Sequence, residues 1–109
     1  MSDDLELLRG TLDLLVLKAL AWGPRHGYAV TEWIHSTTKE ELKVDDGALY
    51  GSLHRLAARK WVLAEWGVSE NNRKAKYYSL TAEGRARLRA QAATWERYVR
   101  AVSLVLRSS

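Results

Sequence analysis

The sequence has 109 residues, a formal net charge of +4 and 47% hydrophobic residues. That fits one globular domain and excludes both intrinsic disorder and a multi-domain enzyme. Cysteine is absent and the aromatics are five Trp and five Tyr with no Phe, so disulfides, thiol catalysis and cysteine-held zinc are excluded and the rings present all have polar tips.

The chain starts Met1-Ser2-Asp3-Asp4, which has no basic segment of the kind a signal peptide needs. The nearby apolar run Leu14 to Leu17 stops at Lys18, far short of the roughly 20 residues that span a bilayer. The expectation is a soluble, cytoplasmic protein with no membrane partner. Leu5, Leu8, Leu12, Leu15 and Ala19 step by three and four, predicting a helix over about 5–21. Leu7, Leu14 and Leu17 add a second apolar stripe. A small chain has little to cover a helix that is apolar on two sides, which points to a partner subunit.

Gly23-Pro24 ends that helix and a turn follows. Tyr28, Ala29, Glu32 and Trp33 support a second helix over 27–38, fraying at Ser36-Thr37-Thr38. Asp45 or Asp46 caps a third helix over 46–60, with Leu49, Leu53, Leu56 and the stem of Lys60 inward. Its opposite face carries Gly47, Gly51, His54 and Ala58, flanked by Tyr50 and Arg55.

The period then changes. Residues 62–66 and 75–80 are short runs rich in branched and aromatic side chains, predicting a hairpin. Between them, Gly67 and the pair Asn71-Asn72 tolerate left-handed backbone, and Arg73, Lys74 and Lys76 line the returning arm. Those cations suit phosphate contact, with protection of a sheet edge as the alternative. Thr81 caps a final helix reaching about Arg107, whose Leu88, Ala92, Trp95, Val99, Val102 and Leu106 form a heptad seam. A seam on a long helix is expected to find its mate on a second copy of the chain, making a homodimer interface with Leu5, Leu8 and Leu12, with folding back onto its own first helix as the alternative.

Charge divides unevenly along this plan. Residues 1–49 hold 5 Lys/Arg against 9 Asp/Glu, and residues 50–109 hold 12 against 4. The second half is the expected polyanion side, with a plain solvated surface as the alternative. Three helices, a hairpin and a long helix make an α+β, mostly helical fold. They predict a winged helix-turn-helix at 1–80 and a dimerisation helix at 81–109 within the same unit. In this arrangement the third helix enters the major groove of double-stranded DNA and the hairpin reaches the flanking backbone or minor groove. Gly47, Ala48 and Gly51 permit close approach, Tyr50, His54 and Arg55 offer donors, and the hairpin cations with Asn72 meet phosphates. Gly51 in a helix interior costs about 1 kcal/mol against alanine, which suggests that closeness matters there.

These residues carry a resemblance. Leu8-Arg9-Gly10-Thr11-Leu12, Gly23-Pro24-Arg25-His26-Gly27-Tyr28, Gly47 through Leu56 and Lys76 through Arg85 together resemble the PadR-like family of bacterial transcriptional regulators over nearly the whole chain. The resemblance implies a winged-helix repressor, dimeric through its first and last helices and released from DNA by a small aromatic effector. It assigns groove contacts to Tyr50, Ser52, His54 and Arg55 and backbone contacts to Tyr28, Lys43 and the hairpin. Gly51 stands where the family usually has proline. The single C-terminal helix matches the shorter members. It also implies a cytoplasmic, nucleoid-associated site of action. Two Trp95 indoles across a dimer axis would sandwich a planar ligand, with simple packing as the alternative.

An enzyme is the first rival, since His26, His35, His54 and the pairs Asp45-Asp46 and Glu40-Glu41 contain metal-ligand types. Their spacing matches no metal, phosphate-loop or nucleophile motif, and adjacent carboxylates on a helix diverge. No cofactor, catalytic residue or metal site is therefore assigned. The second rival is a winged fold used only for protein contact, disfavoured by the positive half.

Overall fold

A computed structural model describes residues 10–109. The expectations for Leu5 and Leu8 lie outside these residues. Helix α1 spans Thr11–Ala19, the two-residue strand β1 Arg25–His26, α2 Gly27–Thr37, α3 Asp46–Ala58, β2 Val62–Val68, β3 Lys74–Leu80 and α4 Ala82–Arg107. The three strands form one antiparallel sheet in the order β1-β3-β2. Arg25 lies opposite Tyr78 and His26 opposite Tyr77, so the segment expected to be a plain turn is the sheet's third strand. Two residues are too few to leave a period that a sequence reading can detect.

The core is built where the helices cross under the sheet. Leu12, Val16, Leu17, Ala19 and Leu20 from the α1 segment meet Val30 and Ile34 of α2, Leu49, Leu53 and Leu56 of α3, and Val62 and Tyr78 of the sheet. Val16 and Leu20 are fully buried and Leu15 only half-buried, so the inward face of α1 is turned slightly from the predicted stripe. Within α2 the inward residues are Gly27, Val30 and Ile34, and Tyr28 and Glu32 point out, joined at 3.3 Å from hydroxyl to carboxylate.

Local chemistry fixes the ends. Asp45 caps α3 by accepting from the Ala48 amide at 2.8 Å, the capping role expected of it. His26 caps α2 in the same way through Nδ1, 3.1 Å from the Ala29 amide. Helix α3 stops at Ala58, because Lys60 adopts φ 62°, a left-handed conformation that closes the helix. The Lys60 side chain is exposed and takes no part in the inward face. Thr81 caps α4 by accepting from the Gly84 amide at 2.9 Å, and its own hydroxyl donates to the Lys60 carbonyl at 2.8 Å. Gly84 is buried against Trp61, close enough that a Cβ would lie 2.0 Å from the Trp61 carbonyl oxygen. The start of α4 is thereby welded to the end of α3.

Beyond that weld α4 leaves the head. A helix of 26 residues is about 39 Å long, and the molecule measures 57 × 33 × 20 Å. Its radius of gyration of 15.4 Å exceeds the roughly 13 Å of a compact chain this size. Leu88 packs on the core and Ala92 and Trp95 are half-buried. Further along the same stripe Val99, Val102 and Leu106 are exposed, Leu106 at 78%.

Candidate nucleic-acid interface

The hairpin formed by β2 and β3 stands beside α3 because of its register. Val62 lies opposite Leu80 and Val68 opposite Lys74, so β2 runs two residues and β3 one residue further out than the predicted 62–66 and 75–80. Gly67 belongs to β2, opposite Ala75, instead of the tip. Its hydrogen lies under the Tyr77 ring, where a Cβ would be 3.0 Å away. At the tip Asn72 takes φ 58°, the left-handed turn conformation expected of it. The Ser69 amide donates to the Arg73 carbonyl at 2.8 Å.

Between this arm and the helices lies an open cleft of about 780 Å³. Tyr28 from α2, Tyr50 from α3 and Arg73, Lys74 and Lys76 from the arm all line it, so five residues singled out in the sequence meet on one concave surface. Tyr28 is 71% exposed. Tyr50 is 44% exposed, and its hydroxyl rests on the first turn of α2, where a Cβ at Gly27 would lie 2.6 Å from it. Glycine at position 27 is what lets the α3 ring reach this far. Tyr78 forms the floor, and its phenol is pushed above the usual range first by burial and then by Tyr50, which keeps it neutral.

The outward ridge of α3 agrees with the sequence pattern. Gly47, His54 and Ala58 are exposed and Gly51 is half-exposed, opposite the buried Leu49, Leu53 and Leu56. A Cβ at Gly51 would meet only the Arg55 guanidinium, at 3.5 Å, an ordinary contact. Packing inside the subunit therefore leaves room for a larger residue at this position.

Ser52 is corrected: it is fully buried and its hydroxyl donates to Asp13 of α1 at 2.6 Å, which leaves it no surface for a duplex. Arg55 is exposed but already engaged. Its Nη2 lies 2.8 Å from Asp13 Oδ1 and its Nε 3.4 Å from Oδ2. Burial alone would raise the Asp13 pKa, but hydrogen bonds from Arg55 and Ser52 and the charges of Arg55 and Arg59 outweigh it and hold the carboxyl below its ordinary range. The same pair raises the pKa of Arg55. Asp13 therefore clips α1 to α3, a partnership across 42 residues that no local spacing reveals.

Lys43 is exposed in the loop before α3, and Asn72 is exposed at the tip. Neither lines the cleft, where Ser69 and Asn71 stand instead. Glu70 is the one carboxylate on the cleft wall, 3.6 Å from His26 Nε2. Its pKa is lowered, first by its own backbone amide and then by His26. A residue the sequence reading passed over is Trp66, 64% exposed and lining the cleft. It shares a face of β2 with the buried Val62, and that spacing alone does not show where the face passes beyond the core.

The histidines are accounted for without a metal. His26 caps α2, His35 Nε2 accepts from the Val44 amide at 2.9 Å, and His54 is solvent-exposed. No group of three potential ligands occurs among the described residues, and none of their helices is long and apolar enough to cross a membrane. Trp95 lies midway along α4 and outside the cleft lining, its ring 6.1 Å from that of Tyr98. A recess of about 400 Å³ there is lined also by Gly10, Thr11, Leu14 and Gln91.

Proteins similar to this chain include transcriptional regulators of known structure. Residues 16–90 match the Transcriptional regulator PadR-like family. A padr family transcriptional regulator from Eggerthella lenta is 31% identical, with 93% of this chain and 86% of that one covered and a TM-score of 0.76. A transcriptional regulator from Clostridium thermocellum is 25% identical, with 87% and 92% covered and a TM-score of 0.79. An uncharacterised protein of Lysinibacillus sphaericus is 28% identical over 90 residues, 83% of either chain.

Proposed function

The chain belongs to the PadR-like family of transcriptional regulators, and from that membership we propose that it acts as a homodimeric repressor seated on a pseudo-palindromic operator. It is a DNA-binding regulator by family, not an enzyme. The observation that carries the finer reading is the cleft in which Tyr28, Tyr50, Arg73, Lys74 and Lys76 converge beside the glycine-containing ridge of α3.

In this reading α3 lies in the major groove. Gly47 and Gly51 allow its backbone near the base edges, and His54 reads them. Tyr28 and Tyr50 donate to phosphates, and Lys43, Arg73, Lys74, Lys76 and Asn72 surround the flanking backbone. Arg55 contributes through the guanidinium face that Asp13 leaves free, since its side chain remains 53% exposed. The exposed stripe Val99, Val102 and Leu106 is the dimer seam, with Ala92 and Trp95 nearer the head, whereas Leu12, expected at this interface, is buried in the subunit's own core with Leu88 packed against that core and has no surface to offer a partner. A twofold dimer places two α3 helices on half-sites about one helical turn, or a multiple, apart. A small planar aromatic effector would enter beside Trp95, and the protein would work on the nucleoid in the cytoplasm.

Selection of bound fragments from random duplexes at physiological salt tests the whole reading. The expected outcome is an inverted repeat whose affinity falls steeply with salt, by about 0.9 log units per log unit of salt for each phosphate neutralised. Enrichment of nothing, or of binding that salt leaves unchanged, would instead favour a winged fold used for protein contact.

A further inference from the structure

Trp66 is an exposed apolar side chain set among the lysines of the arm. Residues directly opposite in an antiparallel pair share a face, and Trp66 lies opposite Lys76. Lys74, two residues along the same strand, shares that face too. The face begins as core, with Val62 and Tyr78 buried, and continues outward past the end of the helices. There Trp66 is 64% exposed, with the Lys74 ammonium 5.0 Å and the Lys76 ammonium 5.8 Å from its ring. Both are within cation–π range, so the indole pre-places two charges around one flat plate.

That grouping has a natural complement. Two residues along a strand are separated by about 6.7 Å, on the scale of the step between neighbouring phosphates of one DNA strand. A nucleic-acid strand presents phosphate, sugar, phosphate, which matches ammonium, indole, ammonium. A salt-protected edge needs no indole, because lysines alone guard it.

We propose that Trp66 is a DNA-contacting residue of the arm, its indole packing on a deoxyribose between two phosphates held by Lys74 and Lys76. This rests on the DNA-binding reading above and adds to it a contact that is apolar and therefore independent of salt. Charged groups set the salt dependence of binding, and the indole adds affinity at every salt concentration.

The test uses the full chain and a duplex of mixed sequence, roughly 24 base pairs, titrated between about 50 and 200 mM salt. Trp66→Ala is expected to weaken binding about tenfold at each salt concentration with an unchanged slope, whereas Trp66→Phe retains most of the affinity. Lys74→Ala with Lys76→Ala is expected to lower the slope by about 2. In protein carrying 5-fluorotryptophan, the resonance that Trp66→Phe removes should shift when duplex is added. Wild-type affinity in Trp66→Ala, or a Trp66 resonance unmoved by bound duplex, overturns the proposal while DNA binding stands. A slope lowered by Trp66→Ala as much as by the lysine pair also overturns it, since the indole would then only organise the charges. Failure of the wild-type chain to bind any duplex overturns the DNA-binding reading itself.

Discussion

Two exposed regions of this molecule are made of opposite materials. The cleft beside α3 presents mainly phenols, ammonium groups and a guanidinium, whereas the far half of α4 presents Val99, Val102, Leu104, Val105 and Leu106. Polar donors are satisfied by water until a ligand replaces it, so the cleft is stable when empty. Exposed valine and leucine gain nothing from water, and a contiguous apolar stripe is stable only when covered. One surface suits a partner that comes and goes, and the other suits a permanent one.

The contrast breaks most completely on α4. Val102→Asp with Leu106→Asp would place charges twice across a twofold seam, and an unpaired buried charge costs about 3–5 kcal/mol. Sedimentation should show a dimer for the wild type and a monomer for the variant, with operator affinity lost. A monomeric wild type would remove the permanent partner from the argument. The joint between head and seam is next. Gly84→Ala forces a methyl into the Trp61 carbonyl, and overpacking of this kind costs about 1–3 kcal/mol, to be read from denaturant unfolding.

The remaining predictions concern the cleft side. Arg73→Ala with Lys74→Ala should weaken binding on all sequences alike and cut the salt slope by about 2, measured by fluorescence anisotropy. An unchanged slope would take the tip of the arm off the phosphates. Gly51→Ala should move two quantities in opposite directions. Helix propensity favours alanine by about 1 kcal/mol and the subunit has room for it, so thermal stability should rise while operator affinity falls. Stability and affinity rising together would show that no duplex approaches there.

The smallest effect is a pH dependence. Asp13 titrates below its ordinary value of 3.8, so its folded pKa lies below its unfolded one. Its clip with Arg55 and Ser52 therefore stabilises the fold in full above the unfolded value, and this contribution disappears as pH falls through the folded one. Acid unfolding of Asp13→Asn should lack that component, and near pH 7 the variant should be less stable than the wild type.

Much of the site was legible along the chain because its parts are local. The outward ridge of α3 follows from a period of 3.6, the Asp45 and Thr81 caps from a side chain beside free amides, and the grouping of Arg73, Lys74 and Lys76 from their closeness in the chain where the turn enters β3. Ser52 shows the limit of resemblance. Helical spacing beside the buried Leu49 and Leu53 sets it toward the inner edge of α3, and its hydroxyl donates to Asp13. Trp66 was overlooked because a tryptophan in a strand looks the same whether its face continues into core or past it.

By itself the sequence determined the order of the four helices and the hairpin, the capping of α3 and α4, the heptad spacing of apolar residues on α4 and the gathering of positive charge in the second half. These depend on neighbours within a turn or two, where spacing dictates geometry. Tertiary structure alone decided that Gly27 makes room for Tyr50, that Asp13 holds Arg55, that β1 completes the sheet and that Trp66 faces the cleft. Each of those joins segments distant in the chain, and their meeting is set by packing of the whole core instead of by any local pattern.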